Sequence, residues 1–201
     1  GDTYFEGKLL CVDPKVVVYL ARHLARLCLS WVEQPINPID PIDTLIAPPG
    51  DAIVLATAVA LAMRRRTNRL VWLVCAEKSG DPNEHQFQID PVYAPRVTAC
   101  RTIIIDNVAT SGVTIRGLMA ATQQLGGAVM GAGTIAQHPG LTPEDLGLGF
   151  LATLLELPGQ SWTAEDCAKS GPCSRGIPIN TRFGHGGEFL AREPKIKRRS
   201  I

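Results

Sequence analysis

A loop of small residues with three hydroxyl side chains follows an apolar run in the middle of this 201-residue chain. The loop reads TSGVT and comprises Thr110, Ser111, Gly112, Val113 and Thr114. Hydroxyls and backbone N–H groups before a helix can donate hydrogen bonds to a phosphate, and a glycine permits a close backbone approach. The same residues can instead cap the helix without binding a ligand. The loop therefore predicts a phosphate site or a helix cap.

An acidic residue and an amide stand at the end of that apolar run. The run is TIIID, Thr102–Asp106, and Asn107 follows it. A carboxylate at the end of a buried strand could accept hydrogen bonds from sugar hydroxyls in the crevice beside the loop. The segment has neither the lysine of a Walker loop nor GxGxxG spacing, so a P-loop site and a Rossmann dinucleotide site are excluded.

Strands and helices must alternate to bring these residues to one edge of a sheet. Continuous apolar runs predict strands at TLIA, LVWLVC, RTIIID, AVMGAGTIAQ and FLATLLEL. Helical spacing predicts helices at DPKVVVYLARHLARLCLSWVEQ, AIVLATAVALAMRRRTN and IRGLMAATQQLGG. Strands that are apolar throughout and alternate with helices are typical of a parallel sheet covered on both faces. We therefore expect an α/β fold with a doubly wound parallel sheet of about five strands.

Ligands of such sheets bind beyond the carboxyl ends of the strands. The loops expected at that edge are Pro48–Asp51, Ala76–Gly80, Asp106–Thr114 and Gln137–Gly140. The hydroxyl loop belongs to this set, so it lies where a ligand is expected.

Composition limits the classes of partner. Hydrophobic residues make up 45% of the chain and charged residues 19%, with a formal net charge of +1. A net charge this small does not indicate a surface that binds nucleic acid. No apolar stretch reaches the roughly 18 residues that a membrane span needs. We expect a cytoplasmic protein that binds neither nucleic acid nor membrane. Its α/β core should cover residues 1–157, and residues 158–201 should form a loop-rich appendage with a basic tail.

Six cysteines occur without any CxxC pair. This is typical of a reduced, cytoplasmic protein rather than of a disulfide scaffold. Cys167 and Cys173 lie in CAKSGPC, which we predict to be a loop where the two thiols could pair or share a metal ion. Since no second cysteine pair and no nearby histidine stand at ligand spacing, we predict no metal site formed by the protein alone.

The segment IIIDNVATSGVT resembles the phosphoribosyl-diphosphate motif of type I phosphoribosyltransferases. In that motif four apolar residues, two acids and two more apolar residues precede a hydroxyl-rich loop. The order of elements is similar over about residues 4–157, and YFEGKLLCVDPKVVVYLARHLA looks like the opening of orotate phosphoribosyltransferases. The segment WTAEDCAKSGPCSRGIPI is similar to a cysteine-containing C-terminal stretch in one branch of that subfamily.

The resemblance implies transfer of ribose 5-phosphate from phosphoribosyl diphosphate to orotate or another pyrimidine-like base. Pyrophosphate would be released, and Mg²⁺ would enter with the diphosphate. By position, the hydroxyl loop would bind the 5-phosphate, and Asp106 and Asn107 the ribose hydroxyls. The resemblance further implies a homodimer and a mobile lid over Ser79–Pro95. The residues facing pyrophosphate would be Pro49, Gly50 and Asp51, and the catalytic residues Asp106, Asn107 and Lys78.

Three departures from the family pattern occur. Asn107 replaces the second acid, and Cys75 and Ala76 replace an arginine–lysine pair. Where orotate enzymes place an arginine for the carboxylate of the base, this chain has Gln137 and His138, which would face the base.

Two function hypotheses follow from these departures. The first is a working phosphoribosyltransferase. The second is a regulatory protein of the same fold that binds phosphoribosyl diphosphate or a nucleotide without turnover. An unrelated nucleotide-binding α/β protein is a further alternative. Release of pyrophosphate in the presence of a base distinguishes the enzyme from the regulatory protein.

Overall fold

The structure is a computed structural model, and it describes residues 7–32, 42–80, 86–158, 162, 164–181, 187 and 191. Gly7–Glu156 form one compact unit, and the described residues from Leu157 onward belong to a second. No helix among the described residues is long and apolar enough to cross a membrane.

A five-stranded parallel sheet forms the centre of the first unit, in the order β2-β1-β5-β6-β7. The strands are β1 (Thr44–Ala47), β2 (Trp72–Cys75), β5 (Arg101–Ala109), β6 (Ala128–Gln137) and β7 (Phe150–Glu156). The chain runs outward from β1 to β2, then returns to place β5 on the other side of β1. This reversal makes the β1–β5 boundary the switch point, where sheets of this kind bind ligands.

Helices cover both faces of the sheet. They are α1 (Pro14–Val32), α2 (Ala52–Thr67), α3 (Val113–Gln124) and the single turn α4 (Pro143–Leu146). Ile104 belongs to a buried cluster with Ile115 and Leu118 of α3. Gly133 of β6 lies against Ile105 and Cys28, the latter on α1. Because adjacent residues of a strand point to opposite faces, α1 and α3 lie on opposite sides of the sheet, which confirms the predicted α/β fold.

The strand that carries Asp106 is longer than its sequence predicts. We expected it to end at Asp106, but β5 continues to Ala109, whose partner on β6 is Gln137. Pairing of parallel strands uses backbone groups, so polar side chains at positions 106 and 107 do not stop it. Asp106 and Asn107 are therefore held by the sheet and not by a free loop.

The stretch predicted as a polar lid without a buried face has structure of its own. β3 (Glu77–Ser79) and β4 (Gln86–Gln88) form an antiparallel pair, and a 3-10 helix follows over Pro91–Arg96. Phe87 and Ile89 are buried in the same apolar cluster as Ile104. The prediction missed them because each is a single apolar residue between polar neighbours. Residues 81–85 of the expected lid lie outside the described residues.

The segment around the C-terminal cysteines also differs from its prediction as a loop. Residues Ala164–Lys169 form α5, and Pro172–Arg175 form a 3-10 helix. Acidic residues in the first turn and Lys169 in the last turn suit the helix macrodipole. Cys167 therefore lies on a helix and Cys173 on the turn that follows it.

Gly131→Ala tests the packing of β6 against β7. A Cβ at Gly131 would lie 2.5 Å from the ring of Phe150, which is fully buried and stacks on Trp31 of α1. We expect this overpacking to lower the free energy of unfolding by about 1–3 kcal/mol, measured by urea denaturation. In a Phe150→Leu background the same substitution should cost less; an equal cost in both backgrounds would show that the ring is not the cause.

Candidate active site

The two loops predicted to bind phosphate groups follow neighbouring strands. β1 pairs with β5 in parallel register, with Leu45 opposite Ile103 and Ile46 opposite Ile104. The carboxyl ends of parallel neighbours meet at one edge of a sheet, so the loop after β1 and the loop after β5 border the same crevice. The fold thus places Pro49–Asp51 beside Thr110–Thr114.

The hydroxyl loop contains a left-handed glycine that precedes a twelve-residue helix, and its last two residues, Val113 and Thr114, open that helix. Gly112 has φ of +74° and occupies the N-cap of α3, and no side chain caps this end. No hydrogen bond from the hydroxyl of Thr110, Ser111 or Thr114 occurs within the described residues. The helix-cap interpretation therefore does not describe the structure. First-turn N–H groups and three hydroxyls remain available to an anion at the positive end of the helix.

Contacts from α4 hold this loop in place. A Cβ at Gly112 would lie 2.4 Å from the side chain of Leu146 and 3.4 Å from that of Leu141. The guanidinium of Arg116 donates to the carbonyl oxygen of Ser111 and, at 3.2 Å, to that of Asp145. The loop is thus buttressed from two directions before any ligand binds, which lowers the cost of ordering it on binding.

Arg116 is a residue that sequence reasoning missed. It lies in the first turn of α3, where a positive charge opposes the helix macrodipole. That unfavourable position is a signal in the sequence that the arginine has another role. Its guanidinium also borders a groove of about 550 Å³ between α3 and β4. Arg116 therefore places a cation next to the predicted phosphate loop.

Asp106 and Asn107 are neighbours in β5, so their side chains lie on opposite faces of the sheet. Asp106 Oδ1 accepts a hydrogen bond of 2.7 Å from the backbone N–H of Asn107. Burial nevertheless raises the pKa of Asp106 to about 6, since the hydrogen bond offsets only part of the desolvation. The carboxylate of Asp106 thus ionises just below neutral pH, which is unusual for an aspartate and typical of functional sites.

Asn107 meets a cysteine that sequence reasoning also missed. Cys11 closes a 3-10 helix, Gly7–Cys11, and its Sγ lies 3.6 Å from Asn107 Oδ1. Burial raises the pKa of the Cys11 thiol, and the negative charge of Asp51 raises it further, while the contact with Asn107 lowers it. Cys11, Asp51 and Asn107 therefore converge from three elements. No sequence pattern marks Cys11, which stands 96 positions before Asn107.

The loop after β1 provides the start of a second helix. Gly50 has φ of +99° and Asp51 precedes α2 with no capping hydrogen bond from its side chain. The backbone N–H of Ile53 donates to the carbonyl of Gly50 at 3.1 Å. Pro49 and Gly50 are exposed and Asp51 is half-buried. The loop therefore presents backbone to solvent at the positive end of α2, next to the convergence of Asp51 and Cys11.

Solved structures similar to this chain are phosphoribosyltransferases. Orotate phosphoribosyltransferase of Mycobacterium tuberculosis H37Rv, in complex with 5-phospho-alpha-D-ribosyl 1-diphosphate, is 18% identical, over 77% of this chain and 81% of its own, with a TM-score of 0.57. Adenine phosphoribosyltransferase of Thermoanaerobacter pseudethanolicus ATCC 33223 is 19% identical, over 72% of this chain and 83% of its own, with a TM-score of 0.51. A phosphoribosyltransferase of Corynebacterium diphtheriae is 15% identical, over 76% of this chain and 82% of its own, with a TM-score of 0.57. No protein-family model and no curated protein matches the sequence.

This chain has the type I phosphoribosyltransferase fold. The likeness is one of backbone geometry, since the identities lie below 20%. The residues at its switch point therefore decide what the fold does in this chain.

Ala76, at the position of the lysine in the missing arginine–lysine pair, is buried in this protein. Ala76 is 2% exposed, its N–H donates to Ala47 at 2.9 Å, and it packs in the cluster that contains Phe87. A lysine placed there would lose its hydration, so burial disfavours a cation at this position. Cys75 is half-buried on β2, and Lys78 is exposed on β3 opposite Phe87. Lys78 therefore belongs to the small antiparallel sheet.

Gln137, at the end of β6, carries an unsatisfied polar atom. Its Nε2 donates weakly to the carbonyl of Leu141 at 3.4 Å, and its Oε1 is buried without a hydrogen-bond partner within the described residues. Buried carbonyl oxygens are normally paired, so Oε1 points to a donor that a ligand could supply. His138 is half-buried beside it, and its backbone N–H donates to Ala109 at 2.8 Å.

No group of three or more histidine, cysteine or acidic side chains able to hold a metal ion occurs in the described part of the chain. Asp51 and Asp106 are the carboxylates on the elements that border the crevice. One or two carboxylates together with substrate phosphates form a common type of Mg²⁺ site, so these residues suit an ion that arrives with a diphosphate.

Arg116→Gln tests the buttress of the hydroxyl loop. The substitution removes the two hydrogen bonds that join Ser111, Asp145 and the guanidinium. We expect affinity for phosphoribosyl diphosphate, measured by calorimetry, to fall about tenfold, or about 1.4 kcal/mol. Arg69→Gln removes the same charge from an exposed site outside the crevice and should leave affinity unchanged. Equal losses in the two variants would assign the effect to net charge.

Proposed function

We propose that this protein transfers ribose 5-phosphate from phosphoribosyl diphosphate to a nucleobase and releases pyrophosphate. The observation that carries the proposal is the uncapped, buttressed start of α3 at the switch point of a type I phosphoribosyltransferase fold. A helix start of this kind binds a phosphate through its N–H groups, its dipole and nearby hydroxyls. A similarly folded enzyme was solved with the same diphosphate bound.

In the proposed reaction the two loops divide the substrate between them. Thr110–Thr114 bind the 5-phosphate, and Pro49–Asp51 face the diphosphate, whose Mg²⁺ meets the carboxylate of Asp51. Both ends of the sugar are then fixed across the β1–β5 boundary. When a protein forms no covalent bond with its substrate, positioning of this kind can account for much of the catalysis.

Asp106 supplies the negative charge near the sugar. Above pH 6 its carboxylate is ionised and can accept a hydrogen bond from a ribose hydroxyl. Positive charge develops on the ribose as the bond to pyrophosphate breaks, so a fixed carboxylate favours the transition state over the ground state. Two further residues assist the reaction. Asn107 contributes a neutral hydrogen-bonding group, and Lys78 contributes a cation for the leaving pyrophosphate.

The base is proposed to be pyrimidine-like and to present an N–H donor. Gln137 Oε1 is the acceptor, because it is buried and unsatisfied in the described structure. An amide oxygen pairs with an N–H group and repels a carboxylate, so this contact favours an uncharged base over orotate. His138 lies next in sequence and provides the second contact to the base.

The alternative function is regulatory binding without turnover. It is favoured by the burial of Ala76, which removes a cation from the pyrophosphate side of the crevice. It is favoured also by Asn107, which lacks the charge of an aspartate. A protein of this kind would bind phosphoribosyl diphosphate at the same loops and release no pyrophosphate.

Calorimetry with phosphoribosyl diphosphate and Mg²⁺, followed by a pyrophosphate assay, separates the two functions. The assay would use a panel of bases that includes uracil and orotate. Binding with pyrophosphate release for one base would establish the enzyme and its substrate. Binding without release for every base would establish the regulatory protein, and absence of binding would refute both.

We propose, in addition, that two copies of the chain associate. Support comes from a groove of about 440 Å³ between α1 and α2. Val18, Val54 and Leu61 are exposed on these helices by 41%, 48% and 53%, and the groove is lined also by Arg22, Arg65 and Arg66. The exposed apolar side chains are what this face offers to a second copy. Sedimentation velocity of the wild type and of Leu61→Glu tests it: a dimer that the substitution dissociates is expected, and a wild-type monomer would contradict it.

A further inference from the structure

Two thiols face each other in the second unit. The Sγ atoms of Cys167 and Cys173 lie 2.7 Å apart, and both side chains are half-buried rather than sealed from solvent. This separation is shorter than a van der Waals contact between two sulfurs and longer than a disulfide bond of about 2.05 Å. The other four cysteines belong to the first unit.

A hydrogen-bonded turn holds these thiols together. After α5 the backbone N–H groups of Ser170 and Gly171 both donate to the carbonyl of Asp166, at 2.9 and 3.1 Å. A Cβ at Gly171 would lie 2.7 Å from the Cα of Cys167 and 2.9 Å from the ring of Trp162, so the turn requires glycine. The short loop between the cysteines is thus already closed, and closing a bond between them costs little further chain entropy.

The two sulfurs are not equivalent. The backbone N–H of Cys173 donates to Cys167 Sγ at 3.3 Å, a contact that orients this sulfur. Burial and the neighbouring Cys167 raise the pKa of the Cys173 thiol above its ordinary value. We therefore assign the first attack to Cys167, whose sulfur the backbone N–H orients, and the second to Cys173, which keeps its proton until that step.

We propose that Cys167 and Cys173 form a redox-active dithiol site that exchanges with low-molecular-weight disulfides such as glutathione disulfide. The Cys167 thiolate attacks one sulfur of the disulfide, forms a mixed disulfide and releases the first glutathione thiolate, which takes up the proton that Cys167 lost. Cys173 then attacks Cys167 Sγ, gives its proton to the second glutathione and closes the protein disulfide. Two protein thiols are oxidised, and one glutathione disulfide is reduced to two glutathiones.

A metal ion is the competing occupant of two close thiols. Structural zinc sites take four ligands, and no group of three or more histidine, cysteine or acidic residues occurs in the described part of the chain. Among the described residues the pair therefore has fewer ligands than a structural metal needs, whereas disulfide exchange needs only the two sulfurs.

The test equilibrates the full chain with reduced and oxidised glutathione, blocks free thiols with iodoacetamide and digests with trypsin without reduction. Cleavage after Lys169 separates the two cysteines into peptides 117–169 and 170–175. The expected result is a disulfide-linked pair of these peptides, whose mass is two hydrogens below the summed masses of the two reduced peptides. The pair should separate on reduction. Absence of this pair across the glutathione series, or links that involve Cys11, Cys75 or Cys100 instead, would overturn the proposal.

Variants identify the sulfurs and the turn. Cys167→Ser and Cys173→Ser should each abolish the linked pair, and Cys100→Ser should leave it unchanged. Gly171→Ala should lower the equilibrium constant for disulfide formation on the order of tenfold, because the added Cβ displaces Cys167. Native mass spectrometry after incubation with Zn²⁺ is the remaining control. One zinc bound per chain and lost in both serine variants, with no disulfide formed, would assign the pair to metal binding.

Discussion

Replacing Asp106 with asparagine is expected to stabilise the ligand-free protein and to abolish ribosyl transfer. The folded protein raises the pKa of Asp106 from 3.8 to about 6. Between these two pH values the folded state holds a proton that the unfolded state releases, so stability falls as pH rises through this window. Above pH 6 the ionised, buried carboxylate costs up to about 3 kcal/mol. Asparagine keeps an oxygen for the N–H of Asn107 and removes this cost.

Urea denaturation at pH 5 and pH 7 measures the effect on stability. The free energy of unfolding of the wild type should fall from pH 5 to pH 7. That of Asp106→Asn should fall less, so the variant should be the more stable protein at pH 7. Loss of the charge near the developing oxocarbenium should lower pyrophosphate release by about 100-fold or more, in line with the loss of a group that stabilises transition-state charge.

Glu144→Gln is the control for the loss of a carboxylate, since Glu144 is exposed on α4. Glu144→Gln should change neither the free energy of unfolding nor the rate of pyrophosphate release. A destabilised Asp106→Asn protein at pH 7 would show that the buried carboxylate is a structural partner rather than a functional cost. Unchanged pyrophosphate release would remove Asp106 from the proposed mechanism.

Replacing Gly112 with alanine is expected to disable the phosphate loop. Alanine at φ of +74° is strained, and its Cβ would lie 2.4 Å from Leu146. Either the backbone at Gly112 or the side chain of Leu146 must shift, and a shift of the backbone moves the N–H groups that would bind the 5-phosphate. We expect a loss of about 1–3 kcal/mol in the free energy of unfolding and at least about tenfold weaker binding of phosphoribosyl diphosphate.

Gly147→Ala separates strain from the loss of the site. Gly147 also has positive φ, +68°, but no atom lies within 4 Å of the position of its Cβ. This variant should show backbone strain alone and keep its affinity for the diphosphate, measured by calorimetry. If Gly112→Ala binds as tightly as Gly147→Ala, the start of α3 is not the phosphate site.

Local chemistry was enough to predict the main elements of the fold. TLIA is a short apolar run, and it forms β1 over the same four residues, Thr44–Ala47. Pro14 opens α1 as expected for a residue that lacks an N–H group where none is needed. Thr110, Ser111 and Gly112 of the hydroxyl loop lie between β5 and α3, where small residues predicted a turn, and the loop's last two residues open α3. These features depend on neighbours a few positions away, so periodicity and turn chemistry report them.

Features of the site that depend on distant residues were missed. Arg116 acts through a contact with Asp145, 29 positions later, and Cys11 meets Asn107 across 96 positions. Burial of Ala76 follows from packing with Phe87 of β4, a strand that the polar sequence around it concealed. No local pattern encodes such contacts, because they exist only once the sheet has formed.

The sequence by itself determined the alternation of strands and helices, the place of the hydroxyl loop and the acid that precedes it. Each of these is a property of consecutive residues and their backbone preferences. Only the tertiary structure decided that no side chain caps α3, that Asp106 is buried enough to titrate near pH 6, and that Cys167 faces Cys173. Burial, desolvation and the separation of two side chains are properties of the packed chain, and they come into being when the elements assemble.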